Sequence, residues 1–121
     1  MRVLVCGGRG FSDKATLWRV LDQLHSEYKF SVVIHGKQRG ADTLADKWAE
    51  SIGILTEPYP ANWDEYGRGA GPIRNKQMID EGKPDLVIAF PGGKGTANMV
   101  KQAKQEGIQV LFVRSNGEWF V

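Results

Sequence analysis

The segment Ala89 to Met99, AFPGGKGTANM, sets Pro91, Gly92, Gly93, Gly95 and Thr96 directly behind the apolar run Leu86 to Phe90. Glycines at a strand end let main-chain N–H groups approach a ligand closely, and a helix starting there adds partial positive charge. Lys94 adds a full one. This is the chemistry of an anion holder, and phosphate is the anion that suits it. Three more glycine clusters repeat the theme: Gly7, Gly8 and Gly10 around Arg9; Gly36 and Gly40 around Lys37 and Arg39; Gly67, Gly69 and Gly71 around Arg68, with Arg74 and Asn75 just beyond. Eleven of the 15 glycines fall in these four clusters, and glycine itself exceeds its usual share of about 7%.

The charged and polar residues beside the glycines carry the finer readings. Arg39 precedes Gly40, opens a helix, and is read as a phosphate clamp or as a solvated helix-start arginine. Asp42, in the first turn of that helix, either accepts from a ribose hydroxyl or caps the helix. Arg74 offers a fork of donors to phosphate or carboxylate, with a loop carboxylate as its competing partner. Trp63 and Tyr66 are expected to pin a long loop more than to stack on a base. His35 ends a strand and is read as a hydrogen-bonded structural residue. Neither histidine has a Cys or His partner at metal spacing, so no metal is expected, and no cofactor is implied.

The elements that must position these residues follow from periodicity. Arg2–Cys6, Ser31–His35, Leu86–Phe90 and Gln109–Val113 are short apolar runs that read as buried strands, with Ile54–Tyr59 a weaker one. Leu17, Val20, Leu21 and Leu24 form a helical stripe behind a cap at Ser12 or Asp13. Ala41, Leu44, Ala45, Trp48, Ala49 and Ile52 form another, closed by Gly53. A loop is expected over Pro60–Gly71, a helix from Pro72 to about Glu81 with Gly82 after it, and a helix over Thr96–Glu106. The final RSNGEWFV offers an Asn-Gly turn and a returning edge strand. Alternation of this kind predicts an α/β fold with a mostly parallel sheet of about five strands, an added C-terminal edge strand, and helices on both faces. Ligands of such sheets bind beyond the carboxyl ends of the strands.

Bulk properties bound the function. At 121 residues the chain is expected to be a single domain over 1–121. Hydrophobic residues at 41%, charged residues at 25% and a net charge of +2 describe an ordinary globular protein without a polyanion-seeking field. The single cysteine, Cys6, excludes an internal disulfide. With no leader-like start and no bilayer-length apolar run, the expectation is a cytoplasmic protein with no membrane partner.

The commonest phosphate motifs are not met. Gly8 and Gly10 would need a glycine at 13, where Asp13 stands, and Lys94 is followed by Gly95-Thr96 rather than directly by a hydroxyl residue. The set CGGRGFSD, HGKQRGADTLADKWA, PANWDEYGRGAGPIRNKQM and AFPGGKGTANMV instead resembles the YspA-type, cpYpsA-related branch of the SLOG superfamily, over nearly the whole chain. The resemblance implies a Rossmann-like three-layer domain, a bacterial or phage setting, a nucleotide or nucleotide-derived ligand, and a homo-oligomer.

Two relatives within that superfamily frame the alternatives. LOG enzymes, which cleave nucleoside monophosphates at the N-glycosidic bond, carry PGGxGTxxE. Pro91, Gly92, Gly93, Gly95 and Thr96 match it, but Met99 stands at the glutamate position. A thioether is no general acid, so hydrolysis would need a carboxylate elsewhere, such as Asp42, Asp64 or Glu65. DNA-processing protein A, which binds single-stranded DNA, has a segment similar to HGKQRGAD, with Gly36, Arg39, Gly40 and Asp42 matching. That makes nucleic acid a further partner to weigh.

Overall fold

The computed structural model describes all 121 residues. Strands β1 (Arg2–Cys6), β2 (Val32–His35), β3 (Leu55–Pro58), β4 (Leu86–Ala89), β5 (Gln109–Val113) and β6 (Trp119–Phe120) form one sheet in the order β3-β2-β1-β4-β5-β6. The first five are parallel, and β6 returns antiparallel to β5. Helices α1 (Lys14–Tyr28) and α2 (Ala41–Ile52) cover one face. Helices α4 (Ala70–Gly82) and α5 (Lys94–Gln105) cover the other.

The apolar runs explain the three layers. Successive strand side chains point to opposite faces. Val3 and Val5 therefore join Leu17, Leu21, Ala45 and Trp48 under α1 and α2. Leu4 and Cys6 join Met78, Met99 and Ala103 under α4 and α5. A strand buried on both faces needs apolar residues at every position, which is why β1 and β4 read as continuous runs. Trp48 is fully buried, and its indole N–H donates to Asp22 at 2.8 Å.

Apart from one-residue trims at the ends of β2, β3 and β4, local boundaries differ from the sequence expectation in three places. The expected loop over Pro60–Gly71 contains a short helix, α3 (Trp63–Tyr66), and a 3-10 turn at Gly67–Gly69. Asn62 caps α3 by accepting from the Glu65 amide at 3.1 Å while its own amide donates to the Glu65 carboxylate at 3.0 Å. The Asn62-to-Glu65 spacing is a capping-box signature that the sequence carried, here closed from the Asn62 side-chain amide rather than from its main-chain N–H. Helix α4 begins at Ala70, so Pro72 falls inside its first turn. Gly82 is its last residue, and the left-handed cap falls to Lys83 at φ 48°. Helix α5 begins two residues early, at Lys94.

The strand order reverses between β1 and β4, so the loops that follow these two strands face each other beyond the sheet. Gly40, ahead of α2, packs beneath them. Its φ is +84°, and a Cβ there would lie 2.2 Å from the Gly8 carbonyl oxygen. Gly40→Ala should therefore cost about 2 kcal/mol or more through strain and collision together. Urea denaturation checks this, and a variant within about 0.5 kcal/mol of the parent would overturn it.

Candidate functional site

Beyond β1, the chain is braced by the Gly8 peptide groups. The Gly8 N–H donates to the Pro91 carbonyl at 2.9 Å, and the Gly8 carbonyl accepts from Phe11 and Ala41, each at 3.2 Å. The loops after β1 and β4 and the start of α2 are thus tied together. The approach is close: a Cβ on Gly92 would lie 2.7 Å from the Gly8 nitrogen and 2.2 Å from Thr96 Oγ1. Gly8 spends its donor on the protein, so this cluster shapes the site rather than lending that N–H to a ligand.

A cleft of about 480 Å³ opens over this brace. Its floor holds Cys6, Met78 and Met99, and its walls carry Arg9, Asp42, Arg68, Arg74, Asn75 and Lys94. Arg74 is 8% exposed. Its Nη1 donates to the Gly36 carbonyl at 2.6 Å and its Nε donates to Asn75 Oδ1 at 3.0 Å. Asn75 passes the tie onward, donating to the Gly95 carbonyl at 3.2 Å and to Asn98 Oδ1 at 3.1 Å, while Gln102 donates to the same Asn98 oxygen at 2.7 Å. This chain fixes the N-terminal halves of α4 and α5 against each other.

Asp42 is the one carboxylate lining the cleft. Burial pushes its carboxyl above the usual aspartate range, against the opposing pull of His35, the Gln38 amide and Arg74. Burial pulls the Arg74 guanidinium below its ordinary range; Asp42 resists this and Arg9 adds to it. Burial likewise raises the Cys6 thiol, the Asp42 charge adding to the shift, so Cys6 offers no thiolate at neutral pH. His35 accepts from the Lys37 amide at Nδ1 (3.0 Å), which leaves Nε2 to donate to Asp46 at 2.9 Å. Both ring nitrogens are occupied, as expected of a structural histidine.

The residues expected from the sequence divide by location. Gly7, Gly8, Arg9, Asp42, Arg74, Asn75, Gly93, Gly95 and Thr96 line the cleft. Gly36 and Arg39 line an adjoining groove of about 450 Å³. Pro91 and Gly92 face an apolar groove on the far side of their loop. Gly40 supports from beneath, and Gly10 has no neighbour within reach of a Cβ. Of the three carboxylates named as stand-ins for the missing glutamate, Asp42 lines the cleft and Asp64 and Glu65 do not.

Several lining residues lay outside the expected set: Gln38, Trp63, Arg68, Lys94 and Asn98. Arg68 and Lys94 were signalled by their glycine neighbours. Trp63, expected to be pinned, is 44% exposed with the Arg9 guanidinium 5.2 Å over its ring. No cluster of three or more His, Cys, Asp or Glu side chains gathers at metal-binding distance. No helix is long and apolar enough to cross a membrane.

The profile of the YAcAr family (YspA, cpYpsA-related SLOG family) matches residues 1–66. That span includes Gly7–Gly10 and Gly36–Asp42 and stops short of Arg74 and Lys94. The Gene 61 protein of Mycobacterium phage D29 is 39% identical over 118 residues, spanning 91% of this chain and 94% of that protein. Among solved structures, DNA processing protein A from Streptococcus pneumoniae has a TM-score of 0.71 at 23% identity, over 93% of this chain and 50% of that one. This chain thus spans about half that protein's length. MurG from Acinetobacter baumannii has a TM-score of 0.59 at 15% identity, over 93% of this chain and 34% of that one. Both likenesses are of fold.

The buried position of Arg74 makes it a structural cation as well as a wall of the cleft. Arg74→Ala should cost about 3 kcal/mol, since it strands the Gly36 carbonyl and leaves Asp42 without its buried counter-charge. Arg74→Lys should recover only part of this, because an ammonium lacks the fork that serves both acceptors. Chemical denaturation of the two variants measures it, and a loss for Arg74→Ala below about 1 kcal/mol would show that the guanidinium is not holding the fold.

Proposed function

The chain belongs to the YspA, cpYpsA-related SLOG family, and from that premise we propose that it binds a nucleotide or nucleotide-derived phosphorylated ligand in the cleft beyond β1 and β4. The observation that carries this reading is the imbalance of charge: Arg9, Arg68, Arg74 and Lys94 line the cleft against one carboxylate, Asp42. The size of the cleft, about 480 Å³, suits a nucleotide-sized ligand. The Lys94, Gly95 and Thr96 amides open α5 and have no main-chain partner, as in any first helical turn. Phosphate sits against these amides and Lys94, with Arg68 closing over it and Arg74 setting the field from the wall. The half-exposed Trp63 offers a stacking face for a base.

Binding is the function, without hydrolysis of the LOG type. Met99 is buried beside Cys6 and Met78, so the glutamate position supplies neither charge nor proton. The fold likeness to DNA processing protein A supports nucleic acid as the second reading, and a steep fall of oligonucleotide affinity with salt would mark it.

Calorimetric titration with nucleoside mono-, di- and triphosphates, ADP-ribose, NAD and cyclic nucleotides tests the reading. At least one class should bind while unphosphorylated nucleosides do not. Lys94→Ala or Arg68→Ala should weaken that binding about tenfold through loss of a charge-assisted contact. Failure of every nucleotide to bind would overturn the proposal. Nucleoside monophosphates incubated with the protein should remain intact by chromatography. Release of free base, abolished by Asp42→Asn, would overturn the binding-only reading and give Asp42 the acid's role.

A further inference from the structure

The main cleft does not end at Trp63. The adjoining groove of about 450 Å³ is lined by Gly36, Lys37, Arg39, Pro60 and Ala61, and shares Arg9, Gln38 and Trp63 with the main cleft. The shared wall is thus a cation, an amide and an aromatic ring. On its far side stand two further cations, Lys37 and Arg39, and no carboxylate lines that groove. Trp63 therefore lies between two separate cationic clusters, with the Arg9 guanidinium 5.2 Å over its ring.

The loop that carries the second cluster is rigidly held. Lys37 adopts φ +53°, which is uncommon for a residue with a side chain. The two other non-glycine residues with positive φ, Lys29 and Lys83, are helix caps, whereas Lys37 is not. Its conformation is fixed by the Lys37 amide donating to His35 Nδ1 at 3.0 Å, by the Gln38 amide donating to Asp42 at 3.3 Å, and by Thr43 donating twice to the Gln38 carbonyl. Strain upheld by so many partners is characteristic of a binding surface set in advance. The Gln38 side-chain amide makes no protein hydrogen bond, although it borders both cavities. It is a free donor and acceptor beside an aromatic face, which is what recognition of a base edge requires.

Resting on the reading of the main cleft, we propose that the ligand is a dinucleotide-class molecule. One phosphate lies in the main cleft, a base stacks on Trp63 in place of Arg9, and a second phosphate or its linked nucleotide lies against Lys37 and Arg39. A mononucleotide fills only one of the two compartments.

The test compares AMP with the 5′-phosphorylated dinucleotide pApA and with a ten-nucleotide strand, by calorimetry at two salt concentrations. The dinucleotide should bind at least about tenfold more tightly than AMP, the second compartment adding its contacts intramolecularly. The double variant Lys37→Gln, Arg39→Gln, altered only at exposed side chains, should bring that ratio to about one, and so should Trp63→Ala. A thermal melt confirms that each variant is folded. AMP binding with no gain for pApA would overturn the two-compartment proposal and leave the main cleft standing. A ratio untouched by both variants would also overturn it. Absence of binding by AMP and pApA alike would overturn this proposal, and the main-cleft reading falls with it only if the wider nucleotide panel fails too. Affinity that keeps climbing to the ten-nucleotide strand, with a steep salt slope, would replace the dinucleotide with single-stranded nucleic acid.

Discussion

The hydrogen bonds of Gly8 determine what the loops at the sheet edge can be. Its N–H reaches Pro91, and its carbonyl gathers Phe11 and Ala41. The parallel ladder of β1 and β4 ends at Cys6 and Ala89, and the Phe90 amide extends it by one bond to the Cys6 carbonyl at 2.9 Å. Past that point nothing regular holds the two strands' loops together. The Gly8 brace takes over, and it works only because neither Gly8, Gly40 nor Gly92 presents a side chain at the crossing. The cost is a donor withdrawn from the ligand. The main-chain amides left open at this edge include those of α5's first turn, so under the proposed function the anion would centre on the PGGKGT loop rather than behind β1.

The second constraint is a buried cation. A guanidinium as deeply placed as Arg74 must find partners or unfold its surroundings. It finds the Gly36 carbonyl, Asn75 Oδ1 and the nearby charge of Asp42. These partners lie on three elements, so the charge that polarises the cleft also pins α4 to the end of β2. Arg9, Arg68 and Lys94 are exposed by contrast and keep their rotamer freedom. The site therefore combines one fixed charge with three adaptable ones. Fixed charge gives preorganisation without reorganisation on binding, and adaptable charge lets ligands of different length be neutralised.

How much of this was legible in the sequence depended on the range of the interaction. The alternation of Val3, Leu4, Val5 and Cys6 between two cores is local, and apolar runs bounded by glycine announced it. The α3 cap was equally local, Asn62 followed three residues later by Glu65, but the glycine-rich surroundings read as loop. The burial of Arg74 was not legible, because its main acceptor lies 38 residues away on another strand end. No spacing within PIRNKQM encodes that meeting. Trp63 was read as a pin for its loop, since large aromatics are usually buried. The ring does pack near Gly71 and beneath Arg9, yet it stays 44% exposed. Arg39, read as a phosphate clamp of the same site, lines the neighbouring groove instead, two residues past the left-handed turn at Lys37.

Net charge was the least informative number in the sequence, and the reason is physical. A total of +2 suggests no electrostatic function, yet the acids that balance the arginines and lysines are spent elsewhere. Asp13 caps α1, Asp22 receives Trp48, Asp46 receives His35, Glu57 pairs with Arg2, and Asp80 pairs with Lys76. None of these carboxylates lines the cleft, and solvent screening confines their fields to about 8–10 Å at ordinary ionic strength. The cleft consequently experiences four cations and one carboxylate, whatever the total. A field confined to two adjoining cavities favours a ligand with few, closely set charges. A polyanion would need basic residues continued along the surface, whereas Lys37 and Arg39 share their groove with Pro60 and Ala61. The same confinement that hides the site from the net charge thus favours a compact phosphorylated ligand over a long strand.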